Sequence, residues 1–170
     1  PSGIDAGAIP ALEDLGHQPF EPDSRAALPF RGGETEGLRR LRYYLWDTNA
    51  IATYKDTRNG MIGSDYSSKF SPWLAAGCLS PKFIYHEIKR YERERVSNES
   101  TYWMFFELLW RDYFRLMGKK HGNRIFFKSG PQNKPMKQLK NNMDAFQTWA
   151  NGRTGVPFID ANMRELNATV

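Results

Sequence analysis

The sequence predicts an all-α fold, a globular array of helices with apolar faces too irregular in length for a regular bundle. Three observations carry this. Apolar residues recur at steps of three and four in several segments. Hydroxyl–proline pairs of the kind that open helices stand at Ser71-Pro72 and Ser80-Pro81. No sustained alternation of apolar and polar residues marks a strand.

Residues 1–33 hold Pro1, Pro10, Pro19, Pro22 and Pro29 with Gly3, Gly7, Gly16, Gly32 and Gly33, and they read as a linker or wrapped arm. From Thr35 the period becomes helical. Leu38, Leu41 and Leu45 share a face, which predicts an amphipathic helix to about Asp47. Arg39, Arg40 and Arg42 fall largely away from that face, as a solvated surface or, alternatively, a phosphate-binding one. KDTRNGMIGSDYSSKF, residues 55–70, contains Asn59-Gly60 and Gly63 and reads as turns. Ser71-Pro72 and Ser80-Pro81 then open two helices, the second with Ile84, Ile88 and Tyr91 opposite Lys89, Arg90, Glu92, Arg93 and Glu94. Asn98 or Ser100 caps the next helix, which Gly118 or Gly122 ends. HGNRIFFKSGPQNKPMK has the punctuation of a loop, and LKNNMDAFQTWANG that of a helix closed by Gly152. Pro157 starts a last helix on which Ile159, Met163 and Leu166 align.

A chain of 170 residues can bury one substantial core. Its net charge of +5 and pI near 9.4 favour an anionic partner such as nucleic acid, although a merely basic surface satisfies the same numbers. The single cysteine, Cys78, excludes an intramolecular disulfide and a CxxC metal knuckle, which fits a reducing compartment. It stands in the apolar run WLAAGCL and is read as packing, not as a nucleophile. His17, His86 and His121 lack ligand spacing, so no metal is expected. The opening PSGIDAGAIPALEDLG is neither a signal nor a transit pattern, and the apolar stretch 102–117 is broken by four charges. The expectation is a soluble intracellular protein, in nucleus, cytoplasm or organelle, with no membrane partner and a monomeric state favoured. GxGxxG after a strand, GxxxxGK[ST], HExxH and GxSxG are all absent.

The stretch TYWMFFELLWRDYFRLMG, residues 101–118, is apolar nearly all round and is expected to be buried. Steps of three, four and seven place Trp103, Glu107, Trp110, Arg111 and Phe114 on one side. Two readings stand. Glu107 and Arg111, at i and i+4, could form a buried ion pair that fixes packing, or they could furnish a polar slot between aromatic planes for a planar heterocycle. SDYSSKFSP adds Ser67, Ser68, Lys69 and Ser71 just before a helix start, a set of donors suited to an anion and also to a simple capped turn. A phosphate site beside an aromatic slot would suit a phosphorylated heterocyclic cofactor. In WANGRTGVPFIDANMREL, residues 149–166, Gly152 and Gly155 frame a tight turn, and Asp160 and Arg164 stand at i and i+4 as a charge pair.

TYKDTRNG, GSDYSSKFSPWLAAGCLSP, STYWMFFELLWRDYFR and GRTGVPFIDANMREL, in this order, resemble the flavin-binding helical domain of the photolyase and cryptochrome family, its DASH branch above all. The resemblance runs from about Thr35 to the C-terminus. It implies a helical domain holding FAD, a blue-light-driven electron transfer from reduced flavin to a cyclobutane pyrimidine dimer, and a DNA partner, single-stranded in the DASH branch. Position by position, it implies that Tyr54 contacts FAD and that Ser67, Ser68, Lys69, Phe70 and Ser71 form the loop around its phosphates. Arg111 would lie on the flavin side, Glu107 and Trp110 would face and stack on the lesion as catalytic residues, and Arg58 would approach DNA phosphate.

Residues 34–170 are accordingly expected to be a partial FAD-binding domain, the N-terminal part of it, without the α/β antenna domain that would hold a folate-type chromophore. The chain stops at Val170, before the segments that complete the flavin pocket in relatives, and Leu139 stands where they carry the outer tryptophan of an electron-transfer chain. An incomplete FAD site, weak or absent flavin binding and impaired repair are the expectation for a chain of this extent. A non-enzymatic blue-light sensor or nucleic-acid-binding regulator is the alternative, and an inert truncated product a third possibility.

Overall fold

The computed structural model describes residues 3, 7–18, 23–134 and 141–169, and every regular element among them is helical. The prolines at 1, 19 and 22 and Leu139, used in reading the arm and the electron-transfer chain, lie outside the described residues. The chain forms two compact units, Ala27–Asn141 and a smaller one from Pro1–Ala26 with Asn142–Val170.

In the larger unit, α1 spans Glu34–Arg42 and runs on into a wider turn, Tyr43–Asp47, closed by the Thr48 N–H on the Tyr43 carbonyl at 3.0 Å. The five-residue step departs from the regular helix expected to Asp47, and Tyr44 and Leu45 are both fully buried within it. A short 3-10 turn, Ala50–Thr53, leads into the single turn α2, Tyr54–Thr57. Helix α3 is Ser71–Ala75, α4 Pro81–Glu94, and α5 the long Glu99–His121, followed by a 3-10 segment, Gly122–Phe126.

The core gathers Leu41, Tyr44 and Leu45 from α1 and its extension, Trp73 and Leu74 from α3, and Ile84, Ile88 and Tyr91 from α4. Met104 and Leu108 of α5 complete one side of it. These are the aligned positions of the helical periods, and each fully buried aliphatic side chain contributes about 1.5–3 kcal/mol relative to exposure. Cys78 packs against this core, as the apolar run around it suggests. The end of the expected arm also belongs here: Trp73 donates its indole N–H to the Arg31 carbonyl at 2.9 Å, with Phe30 tilted against its ring.

The caps divide. Ser80 accepts the Phe83 N–H at 3.4 Å, and Asn98 forms a capping box with Thr101. Ser71 does not cap α3, since Phe70 occupies that position and no side chain accepts there. Two burial expectations also fail. Arg39 and Arg42 are solvated, but Arg40 is only 6% exposed, because it stands three residues after Gly37 and four before Tyr44 on the buried face. Helix α5 is not buried all round. The 3-10 turn, α2 and α4 pack on one side of it, and Leu109, Trp110, Tyr113, Phe114 and Leu116 stay exposed among the described residues.

In the smaller unit, α6 is Met143–Ala150, capped by Asn142, and α7 is Pro157–Thr169. Gly152 turns the chain at φ +61, where an added Cβ would sit 2.9 Å from the Asp160 carbonyl oxygen. Asp160 and Arg164 do not form the expected pair. Asp160 instead accepts the Thr154 N–H, the Thr154 hydroxyl and the Gly155 N–H, while Arg164 Nε donates to the Gly152 carbonyl at 3.0 Å.

Candidate functional site

A cavity of about 540 Å³ opens between α5 and the 66–75 segment. Tyr54, Ser67, Ser68, Lys69, Phe70, Ser71, Glu107 and Arg111 all line it, so eight sequence-predicted residues meet in one place. A larger groove of about 700 Å³ lies between α1 and α4. Its charges neutralise one another, Arg42 with Asp47 at 3.5 Å and Arg90 with Glu94 at 3.0 Å and Glu87 at 3.4 Å, which leaves little for a ligand.

Helix α5 builds one wall by its period. Met104, Glu107, Leu108 and Arg111 stand at i, i+3, i+4 and i+7 and all reach the cavity. At about 100° per residue, Trp103, Trp110 and Phe114 fall on the far side of Glu107. There Trp110, 44% exposed, stacks on Phe114 at 5.8 Å and meets Phe106 and Tyr113 edge-on. Trp110 is therefore not a cavity residue. Glu107 sits on the border between the cavity and this exposed aromatic face.

Glu107 pairs with Arg58 of the turn after α2, not with Arg111, so the i, i+4 ion pair is absent. The Arg58 guanidinium lies 4.8 Å from the Trp103 ring centroid. Arg58 is thus held at the aromatic side of Glu107, half-buried. Tyr54 packs beside this pair, and its hydroxyl is harder to ionise than a free tyrosine, mainly through burial and further through the Glu107 charge.

Arg111 brings a positive charge to the cavity wall. Its Nη2 donates to the Leu74 carbonyl at 3.3 Å, whereas its Nη1 is buried without a hydrogen-bond partner among the described residues. The nearest carboxylate, that of Asp112, is 3.7 Å away. Asp112 does not line the cavity, so it is the rest of the half-buried Arg111 side chain that the cavity meets. Across from it, the hydroxyls of Ser67, Ser68 and Ser71 make no hydrogen bond among the described residues. Lys69 adopts φ +59, an unusual backbone for a lysine, and its ammonium contacts the Tyr66 hydroxyl and lies 3.8 Å from that ring's centroid. With Glu107 neutralised by Arg58, Arg111 and Lys69 leave the cavity cationic. Unpartnered hydroxyls, a half-buried guanidinium and an ammonium around an apolar floor fit the phosphates of a dinucleotide cofactor. The single turn of α3 is too short for its dipole to add much.

Five lining residues, Tyr66, Leu74, Ala75, Met104 and Leu108, escape sequence reading. Met104 and Leu108 were visible as the i−3 and i+1 neighbours of Glu107 once the cavity face of the helix was known. Tyr66 carried no signal beyond its place among the serines. Among the described residues no cluster of three metal-type ligands occurs, and no helix is long and apolar enough to cross a membrane.

Comparison with known proteins gives a consistent result. The family described as "FAD binding domain of DNA photolyase" matches residues 103–170. Cryptochrome DASH of Danio rerio is 59% identical over 169 residues, covering 99% of this chain and 32% of that protein. Cryptochrome DASH of Xenopus laevis is 56% identical over the same shares. The crystal structure of the Synechocystis sp. PCC6803 cryptochrome superposes with a TM-score of 0.86 at 54% identity, over 94% of this chain and 32% of that one. The chain spans about a third of the length of these relatives.

Proposed function

From the premise that this chain is homologous to part of the FAD-binding helical domain of cryptochrome DASH, we propose that its cavity holds FAD for blue-light-driven cleavage of cyclobutane pyrimidine dimers in single-stranded DNA. The observation that carries the reading is the meeting of Arg111, Lys69 and the unbonded hydroxyls of Ser67, Ser68 and Ser71 on one cavity. Bound FAD would supply the photochemical electron. The residues of the chain do the rest. Arg111, the three serines and Lys69 neutralise and fix the diphosphate, and Tyr54 and Phe70 give apolar contact. Glu107 orients a lesion base from the border of the cavity, Trp110 offers a stacking plane on the exposed face, and Arg58, anchored on Glu107, stands within reach of a backbone phosphate.

DNA is further supported by the charge distribution. From Tyr113 to Met143 the sequence holds Arg115, Lys119, Lys120, Arg124, Lys128, Lys134, Lys137 and Lys140 and no acid, so this stretch carries more than the whole net charge of +5. Exposed Phe126 and Phe127 are interleaved with it. Basic side chains beside exposed rings are the combination that single strands favour.

A titration with FAD, followed by flavin fluorescence, tests the cofactor assignment. Binding should be saturable and at least about tenfold weaker in Arg111→Met, a loss of about 1.4 kcal/mol. A parent chain whose titration matches that of the variant would falsify it. The alternative, a nucleic-acid-binding light regulator, separates on a second assay. A lyase binds a dimer-containing strand in preference to an intact one, and Glu107→Ala should reduce that preference about tenfold while FAD affinity holds. Equal binding of both strands by the parent favours the regulator.

A further inference from the structure

Arg40 is buried and spends its guanidinium on one segment of chain. Nε donates to the Ser68 carbonyl at 3.0 Å, and Nη2 to the carbonyls of Ser64 at 2.7 Å and Ser67 at 3.2 Å. Nη1 donates to Asp65 Oδ1 at 3.1 Å, and the other Asp65 oxygen accepts the Tyr43 hydroxyl at 2.8 Å. The rings of Tyr43 and Tyr44 flank the guanidinium, their centroids 5.3 and 5.5 Å from Cζ.

The consequence follows from peptide geometry. No peptide bond among the described residues is cis, and across a planar trans peptide the C=O and the following N–H point in opposite directions. Carbonyls of Ser67 and Ser68 turned onto Arg40 therefore turn the N–H groups of Ser68 and Lys69 away from it. Neither N–H donates a hydrogen bond among the described residues. Ser68 and Lys69 line the cavity, whereas Arg40 does not. Lys69, directly after the two gripped carbonyls, stands at φ +59.

We infer that Arg40 is a positioning residue for anion binding, drawing three carbonyls to one side of the 64–68 segment so that the Ser68 and Lys69 amides face a diphosphate in the cavity. The identity of that diphosphate as part of FAD rests on the proposed function, but the cradle itself does not need FAD to be tested. A lysine could not substitute, because one ammonium lacks the planar fork that reaches four acceptors.

The test is an amide NMR titration of the full chain with inorganic pyrophosphate, with FAD in a parallel series. The Ser68 and Lys69 signals should shift saturably, and Arg40→Met should weaken pyrophosphate at least about tenfold while α4 signals and a cooperative thermal transition persist. Unchanged affinity in that variant, or parent signals at Ser68 and Lys69 that do not respond, overturns the inference. Should Arg40→Met fail to fold, Arg40→Lys keeps the charge and loses the fork. About threefold weaker binding then supports the inference, and parent-like affinity overturns it. A pyrophosphate response without an FAD response would leave the cradle standing and remove FAD as its ligand.

Discussion

Asp160, buried in the first turn of α7, is the acceptor around which one turn closes. Its carboxylate accepts the Thr154 hydroxyl at 2.6 Å and the N–H groups of Thr154 and Gly155 at 2.7 and 3.0 Å, which closes the turn that Gly152 begins. The Thr154 hydroxyl is the main cause that lowers its pKa; burial opposes, and the two N–H groups and the Arg164 charge assist. A folded-state pKa below the unfolded value of about 3.9 stabilises the fold above that pH. That contribution is lost as pH falls through the folded-state pKa. Asp160→Asn should therefore lower the Tm at neutral pH and flatten the acid-side loss of stability. Parallel curves for parent and variant down to about pH 2 would show that the carboxylate does not carry this dependence.

Two elements show how caps and small residues set the helices on which the cavity is built. The capping box of Asn98 and Thr101 fixes the start of α5, and Asn98 also donates to the Ala52 carbonyl at 2.8 Å, tying the helix to the turn before α2. Asn98→Ala should cost about 1 kcal/mol, read as a lower midpoint in urea with an unchanged slope. Gly37 is a sterner case, since alanine favours a helix interior by about 1 kcal/mol. A Cβ there would lie 2.9 Å from Leu79 Cγ and 3.1 Å from Trp73 Cδ1. Overpacking of about 1–3 kcal/mol should win, so Gly37→Ala is expected to destabilise despite its better propensity. A rise in urea midpoint would mean that α1 and the Trp73 side chain shift apart at little cost.

At the scale of the whole molecule, charge is segregated along the chain. The eight cations between Tyr113 and Met143 have no acid among them, and those in the described residues make no ion pair there. If the proposed function holds, binding to a single-stranded oligonucleotide weakens with salt, at about 0.7 in log K per log unit of salt for each phosphate neutralised. Lys119→Gln with Lys120→Gln should reduce that slope by about 1.4 if both contact phosphate. An unchanged slope would place the strand elsewhere on the molecule.

Helix existence, the Ser80 and Asn98 caps, the aligned core of Ile84, Ile88 and Tyr91, and the glycine turn at 152–155 were legible because each depends on neighbours within a few residues. The likeness of the motifs to a known domain was legible for the same reason; of the residues that line the cavity, Ser67, Ser68, Lys69, Ser71, Glu107 and Arg111 were legible locally, Tyr54 and Phe70 only through that likeness. What the tertiary structure decided were the partners. Glu107 took Arg58 over Arg111, and Asp160 took a turn over Arg164, because a guanidinium 49 positions away or a backbone N–H stood as the better-placed donor. Arg40 looked like one of three surface arginines in a row, and only the fold, by bringing residues 64–68 against α1, made it buried and gave it four acceptors. Local spacing determines which face a side chain shares; it does not determine what arrives opposite that face, because long-range contacts are chosen by packing and desolvation acting on the whole chain.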